Sequence, residues 1–123
     1  MRLFTRLGTG LLTCAVLLAG ATVVDQARAT GVATFFAIIA PTGGTVTGSG
    51  VTSSIRTAPG TYEVTLARSI TTCALLATLR GSRSGEIVTA PDSVNPLVVR
   101  VTTFTTSGVK ANHPFYLLVY CNS

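Results

Sequence analysis

Apart from hydroxyls and basic side chains, residues 30–123 carry one histidine, His113, three carboxylates, Glu63, Glu86 and Asp92, and two cysteines, Cys73 and Cys121. Catalysis near neutral pH needs a group that titrates there, or a nucleophile with a base beside it. His113 stands in an Asn-His-Pro-Phe turn, the setting of a solvated histidine. Ser107 is close to it in sequence and Asp92 distant, but hydroxyl residues are so abundant here that a Ser-His-Asp set drawn among them carries no weight. No G-x-S-x-G elbow joins a strand to a helix; Gly48, Ser49 and Gly50, and residues 81–85, are glycine–serine loops. Glycoside hydrolysis needs two facing carboxylates, and the three present are scattered, with Glu63 on the outward face of its strand. A single histidine cannot build a zinc site, and the acids lack calcium-loop spacing. The expectation is no enzyme, no metal and no cofactor.

The cysteines instead point to a compartment. Residues 1–29 begin with Arg2 and Arg6, continue through an apolar run over 7–24, and close on Ala27-Arg28-Ala29. Basic region, apolar region and small-x-small site, in that order, predict a helical signal peptide cleaved after Ala29. The alternative is a retained membrane anchor, since the run approaches the roughly 17 to 25 residues that span a bilayer. Glycines and threonines dilute that run. Cleavage removes Cys14, leaving Cys73 and Cys121 as an isolated pair, most simply a disulfide in an oxidising compartment. The expected location is therefore secreted or cell surface, with no membrane association after cleavage.

Charge excludes a further class. After cleavage six cations, Arg56, Arg68, Arg80, Arg83, Arg100 and Lys110, face the three acids, a net of +3 spread thinly along the chain. Arg80 and Arg83 share a Gly/Ser loop that reads as a solvated turn. Nucleic-acid binding would need a denser basic stripe with interleaved aromatics, so no nucleic acid is expected.

The elements that must position these residues are short strands. Residues 60–73, G-T-Y-E-V-T-L-A-R-S-I-T-T-C, alternate Tyr62, Val64 and Leu66 against Thr61, Glu63 and Thr65 and lead to Cys73. Before them, 32–39 is apolar on both faces, 42–50 is glycine-rich with room for a short edge strand, and 51–56 is a further strand. After them, 73–79 reads as a central strand covered on both faces. Residues 86–90 and 97–104 follow, then a hairpin-like connection over 105–114. The last run, F-Y-L-L-V-Y-C, sets Phe115, Leu117, Val119 and Cys121 on one face. Seven to eight short strands without a helix predict one all-β domain over 30–123, an antiparallel β-sandwich of jelly-roll or immunoglobulin-like connectivity.

G-x-Y-x-V-x-L, a cysteine seven residues on, an alternating strand and a closing P-F-x-L-x-V-x-C together resemble a small disulfide-containing β-sandwich domain of uncharacterised exported bacterial proteins. That domain sometimes ends surface or fibre-like chains. The residues carrying the resemblance are Gly60, Tyr62, Val64, Leu66, Cys73, Val99, Val101, Gly108, Phe115, Leu117, Val119 and Cys121. Asn112-His113-Pro114 departs from it, standing where an acidic residue is common. The resemblance implies a non-enzymatic bacterial module and supplies no catalytic set.

One pattern bears on function. Tyr116, Leu118 and Tyr120 make the second face of the last strand apolar, and Phe36 and Ile38 do the same for the first. A one-sided sandwich strand should carry polar residues there. Either both strands are central and covered by loops, or these five residues form an interface with another subunit. The expected function is an exported structural or interaction module, self-associating or bound to another surface protein. The alternatives are a small-ligand or carbohydrate binder, though tryptophan is absent, and a secreted hydrolase.

Overall fold

The structure, a computed structural model, describes residues 32–122; the signal peptide expected over 1–29 lies outside them. Short runs of β-branched and aromatic residues, punctuated by Gly and Pro, favour strands over helices, and no helix occurs among the described residues. The eight strands are β1 (Val32–Ile39), β2 (Thr45–Ser49), β3 (Val51–Ala58), β4 (Thr61–Leu66), β5 (Cys73–Leu79), β6 (Glu86–Pro91), β7 (Val98–Phe104) and β8 (Phe115–Asn122). They form two four-stranded sheets, ordered β2-β1-β8-β5 and β3-β4-β7-β6. The all-β sandwich expected from sequence is therefore the fold.

Neighbouring strands β1–β2, β3–β4 and β6–β7 are antiparallel hairpins within a sheet, while the other connections cross between sheets. From β3 to β8 this order follows strands A to F of an immunoglobulin-like sandwich, A-B-E-D in one sheet and F-C in the other. β1 takes the place beside β8 that the final strand takes in that fold. The first described strand is thus held against the last, and both are central in their sheet.

The core lies between the inner faces. Tyr62, Val64 and Leu66 of β4, with Val99, Val101 and Thr103 of β7, oppose Phe115, Leu117, Val119 and Cys121 of β8, all essentially inaccessible to solvent. Tyr62 and Phe115 meet edge to face with ring centroids 5.1 Å apart, an arrangement aromatic quadrupoles favour. The Tyr62 hydroxyl donates to the Pro41 carbonyl at 2.9 Å, so the ring can be buried without stranding its polar end. The strand that follows Gly60 and the strand that closes the chain thus meet by packing across the two sheets, with no ladder between them.

The disulfide lies elsewhere, within one sheet. Cys73 and Cys121 are bonded and sit directly opposite each other on β5 and β8, Cα atoms 4.1 Å apart. A separation this short marks a pair that exchanges no ladder hydrogen bonds. Cys121 is buried, so Cys73 points inward too, and the parity of β5 follows: Leu75 and Ala77 pack on the core while Ala74, Leu76 and Thr78 face out.

Three expectations need correction. Residues 73–79 form an edge strand with one exposed face, not a central strand covered on both. Ala and Leu at successive positions hide the alternation that the cross-strand disulfide imposes. Residues 105–114 are not a hairpin, because β7 and β8 belong to different sheets. They close a local turn, with the Thr105 N–H bonded to the Val109 carbonyl at 2.8 Å, and then cross over. His113, on that crossing, is buried and not solvated, since the segment folds back over the sandwich end. There the Asn112 side chain accepts from the Gly60 N–H at 2.8 Å.

Candidate functional site

Residue parity on the central strands assembles the most distinctive surface. With Phe115, Leu117 and Val119 committed to the core, strand geometry turns Tyr116, Leu118 and Tyr120 outward, where they are 43%, 41% and 46% exposed. On neighbouring β1, burial of Ala37 and Ile39 sends Phe36 and Ile38 to the same face. Phe36 is 44% exposed and Ile38 is half-buried. The five residues singled out from sequence therefore share one face of one sheet. The covering by loops that would have explained them is not found among the described residues.

A sixth residue joins them. Leu76 on β5 lies opposite Leu118 in register and is 57% exposed. The apolar run over 73–79 hides its outward direction in the sequence. The signal available in the sequence was the pair Cys73 and Cys121, because two cysteines joined across adjacent strands must point to the same side. Phe36, Ile38, Leu76, Tyr116 and Leu118, with Thr78, line an open groove of about 470 Å³. No charged residue occurs in any of the four strands of this sheet. The opposite sheet carries Arg56, Glu63, Glu86 and Arg100 on its strands.

The residues considered for catalysis are not gathered. Asp92 accepts from the backbone N–H groups of Asn95 at 2.9 Å and Val94 at 3.1 Å, and from Arg100 at 2.7 Å. These bonds, the backbone ones foremost, hold its carboxyl below the usual 3.8. Glu63 stands across from Arg100 in register and reaches it at 3.7 Å. The two acids thus flank one guanidinium instead of facing each other over a substrate. His113 is 5% exposed, and its Nε2 has no hydrogen-bond partner among the described residues. It borders a polar hollow of about 440 Å³ with Pro41, Arg80, Arg83, Asn112 and Pro114. Ser107 instead bonds Thr105 at 3.0 Å. No cluster of three metal-ligating side chains occurs among the described residues.

Neither a family model, nor a curated protein, nor a solved structure matches the chain. Its function is accordingly read from the geometry of this face and from the chemistry of its residues.

Proposed function

We propose that the protein is an exported, non-catalytic interaction module that self-associates at the cell surface or in the secreted fraction through the outer face of the β2-β1-β8-β5 sheet. One observation carries this reading: Phe36, Ile38, Leu76, Tyr116, Leu118 and Tyr120 form a contiguous apolar surface on strands that hold no charge. Contiguous apolar patches on a folded domain mark contact sites. Aromatic residues supply much of the binding energy at protein interfaces. A second copy suits this face because an uncharged surface meets its own image without like-charge repulsion, and a two-fold axis sets the same patch of each copy against the other. The disulfide supports an oxidising compartment, and the resemblance to exported bacterial sandwich domains points the same way.

A sugar-binding face would set hydrogen-bonding groups around its aromatics, whereas the groove here is apolar apart from the Thr78 hydroxyl and the Tyr116 phenol. Sedimentation of the mature chain at rising concentration is the test. The wild type forms oligomers, and Tyr116→Glu or Tyr120→Glu, each placing a charge on the exposed face without touching the core, raises the dissociation constant of the face contact at least about tenfold. A wild type that is monomeric at every concentration refutes the reading.

A further inference from the structure

The geometry points to a second self-association contact, distinct from the sheet face: the free edge of β5 pairs antiparallel with β5 of a second copy. This goes beyond the face contact proposed above and rests with it on the reading that the chain self-associates. An unprotected edge offers a row of unpaired N–H and C=O groups to any extended segment, and folded proteins blunt such edges with charges, prolines, bulges or brevity.

Three of the four edges here carry those devices. β2 is five residues long, contains Gly48 and meets an irregularity in register between Ile38 and Ile39. β3 shifts register at two places and carries Arg56. β6 begins at Glu86 and ends at Pro91. β5 has none of them: seven residues, Cys-Ala-Leu-Leu-Ala-Thr-Leu, without charge, proline or glycine, and an unbroken register with β8.

The register also fixes which groups are free. Because Cys73 and Cys121 form a pair without ladder bonds, alternation along the antiparallel ladder assigns the bonds to β8 to Ala74, Leu76 and Thr78. The amides of Leu75, Ala77 and Leu79 then face outward from the sheet edge. The Arg80 N–H, bonded to the Pro114 carbonyl at 2.9 Å, continues the same alternation. The Cys73 N–H is already taken by the Ile70 carbonyl at 3.1 Å.

A two-fold axis through Leu76 brings Leu75 opposite Ala77 of the second copy, so the free groups of the two edges bond each other. It also places Leu76 against its own symmetry mate on the outer face, where closely spaced pairs make side-chain contact. The antiparallel sense is selected by charge. Arg80 and Arg83 follow β5 at its C-terminal end, and antiparallel pairing keeps the two sets at opposite ends, whereas parallel pairing would bring them together. The product is a continuous eight-stranded sheet whose outer face doubles the apolar surface already described. Edge pairing and face stacking, as two separate contacts on one chain, carry assembly past the dimer.

Sedimentation combined with amide hydrogen exchange tests the pairing. Wild type assembles past the dimer, Tyr116→Glu stops at an edge-paired dimer, and Ala77→Pro, which removes an outward N–H while sparing the ladder to β8, stops at a face-stacked dimer. In wild type and Tyr116→Glu the amides of Leu75, Ala77 and Leu79 exchange at least about tenfold more slowly when concentration is raised into the associated range, and those of edge strand β6 do not. This exchange readout on unaltered β5 stands even where Ala77→Pro fails to fold. A Tyr116→Glu chain that is monomeric with fast β5 amides overturns edge pairing and leaves face association intact. A wild type that is monomeric throughout overturns both.

Discussion

At the scale of single residues, the polar groups that sequence offers as chemistry are engaged in holding the chain together. Asp92 ties the turn before β7 and anchors Arg100. Its carboxyl is held below its ordinary value of 3.8, so the stability it contributes is full above that value and is lost as pH falls through the folded value. Replacing it, as in Asp92→Asn, flattens the acid limb of a stability–pH profile below about pH 4; an unchanged limb would count against the assignment. Tyr62 is the alkaline counterpart. Burial pushes its phenol above 10.0, against the opposing pull of the Thr103 hydroxyl, Arg56 and the His113 backbone. Its protonated form is therefore favoured by folding, and that contribution is lost as pH rises through the folded value. Tyr62→Phe removes the bond to Pro41, costs about 1 kcal/mol near neutral pH, and weakens the alkaline fall; urea titrations at pH 7 and above 10 read both. Tyr62 was legible as core from strand parity alone. The burial of His113 was not, because it depends on a crossing segment folding over the sandwich end.

At the scale of elements, the disulfide and one glycine set how strands join. The bridge closes a separation of 48 residues, which in the chain-entropy model corresponds to about 4 kcal/mol of restriction on the unfolded chain. Loss of both cysteines, in Cys73→Ser with Cys121→Ser, lowers the free energy of unfolding by up to that amount in denaturant titration, and a change near zero would show that the β5–β8 ladder suffices without it. Gly50 is where the chain leaves β2 in one sheet and enters β3 in the other. Its φ is 75°, and a Cβ there would run into the Phe35 ring. Gly50→Ala should destabilise by more than about 1 kcal/mol, read as a fall in thermal midpoint. Most strands were legible because alternation and turn residues are local signals. The sheet position of β5 is hidden in the sequence because its outward residues Ala74 and Leu76 are as apolar as its inward ones, which erases the pattern that distinguishes an exposed face.

At the scale of the whole molecule, the two sheets differ in character: one carries its charges on its strands and the other carries none. Assembly through the uncharged sheet should hold or strengthen as sodium chloride or sulfate is added, because salt screens ion pairs but reinforces apolar burial. Dissociation by salt, followed in sedimentation, would point to the charged sheet instead. From sequence alone came the all-β class, the strand count, the pairing of Cys73 with Cys121 and the apolar second faces of the first and last strands. All of these follow from residue type and short-range periodicity, which are properties of the chain before it folds. Tertiary structure decided that β1 and β8 are neighbours, that the disulfide lies within one sheet, that Leu76 shares the apolar face and that β5 is an edge strand among the described residues. Those facts depend on which strands, far apart in sequence, come to lie side by side, and strand order is set by the packing of two whole faces against each other.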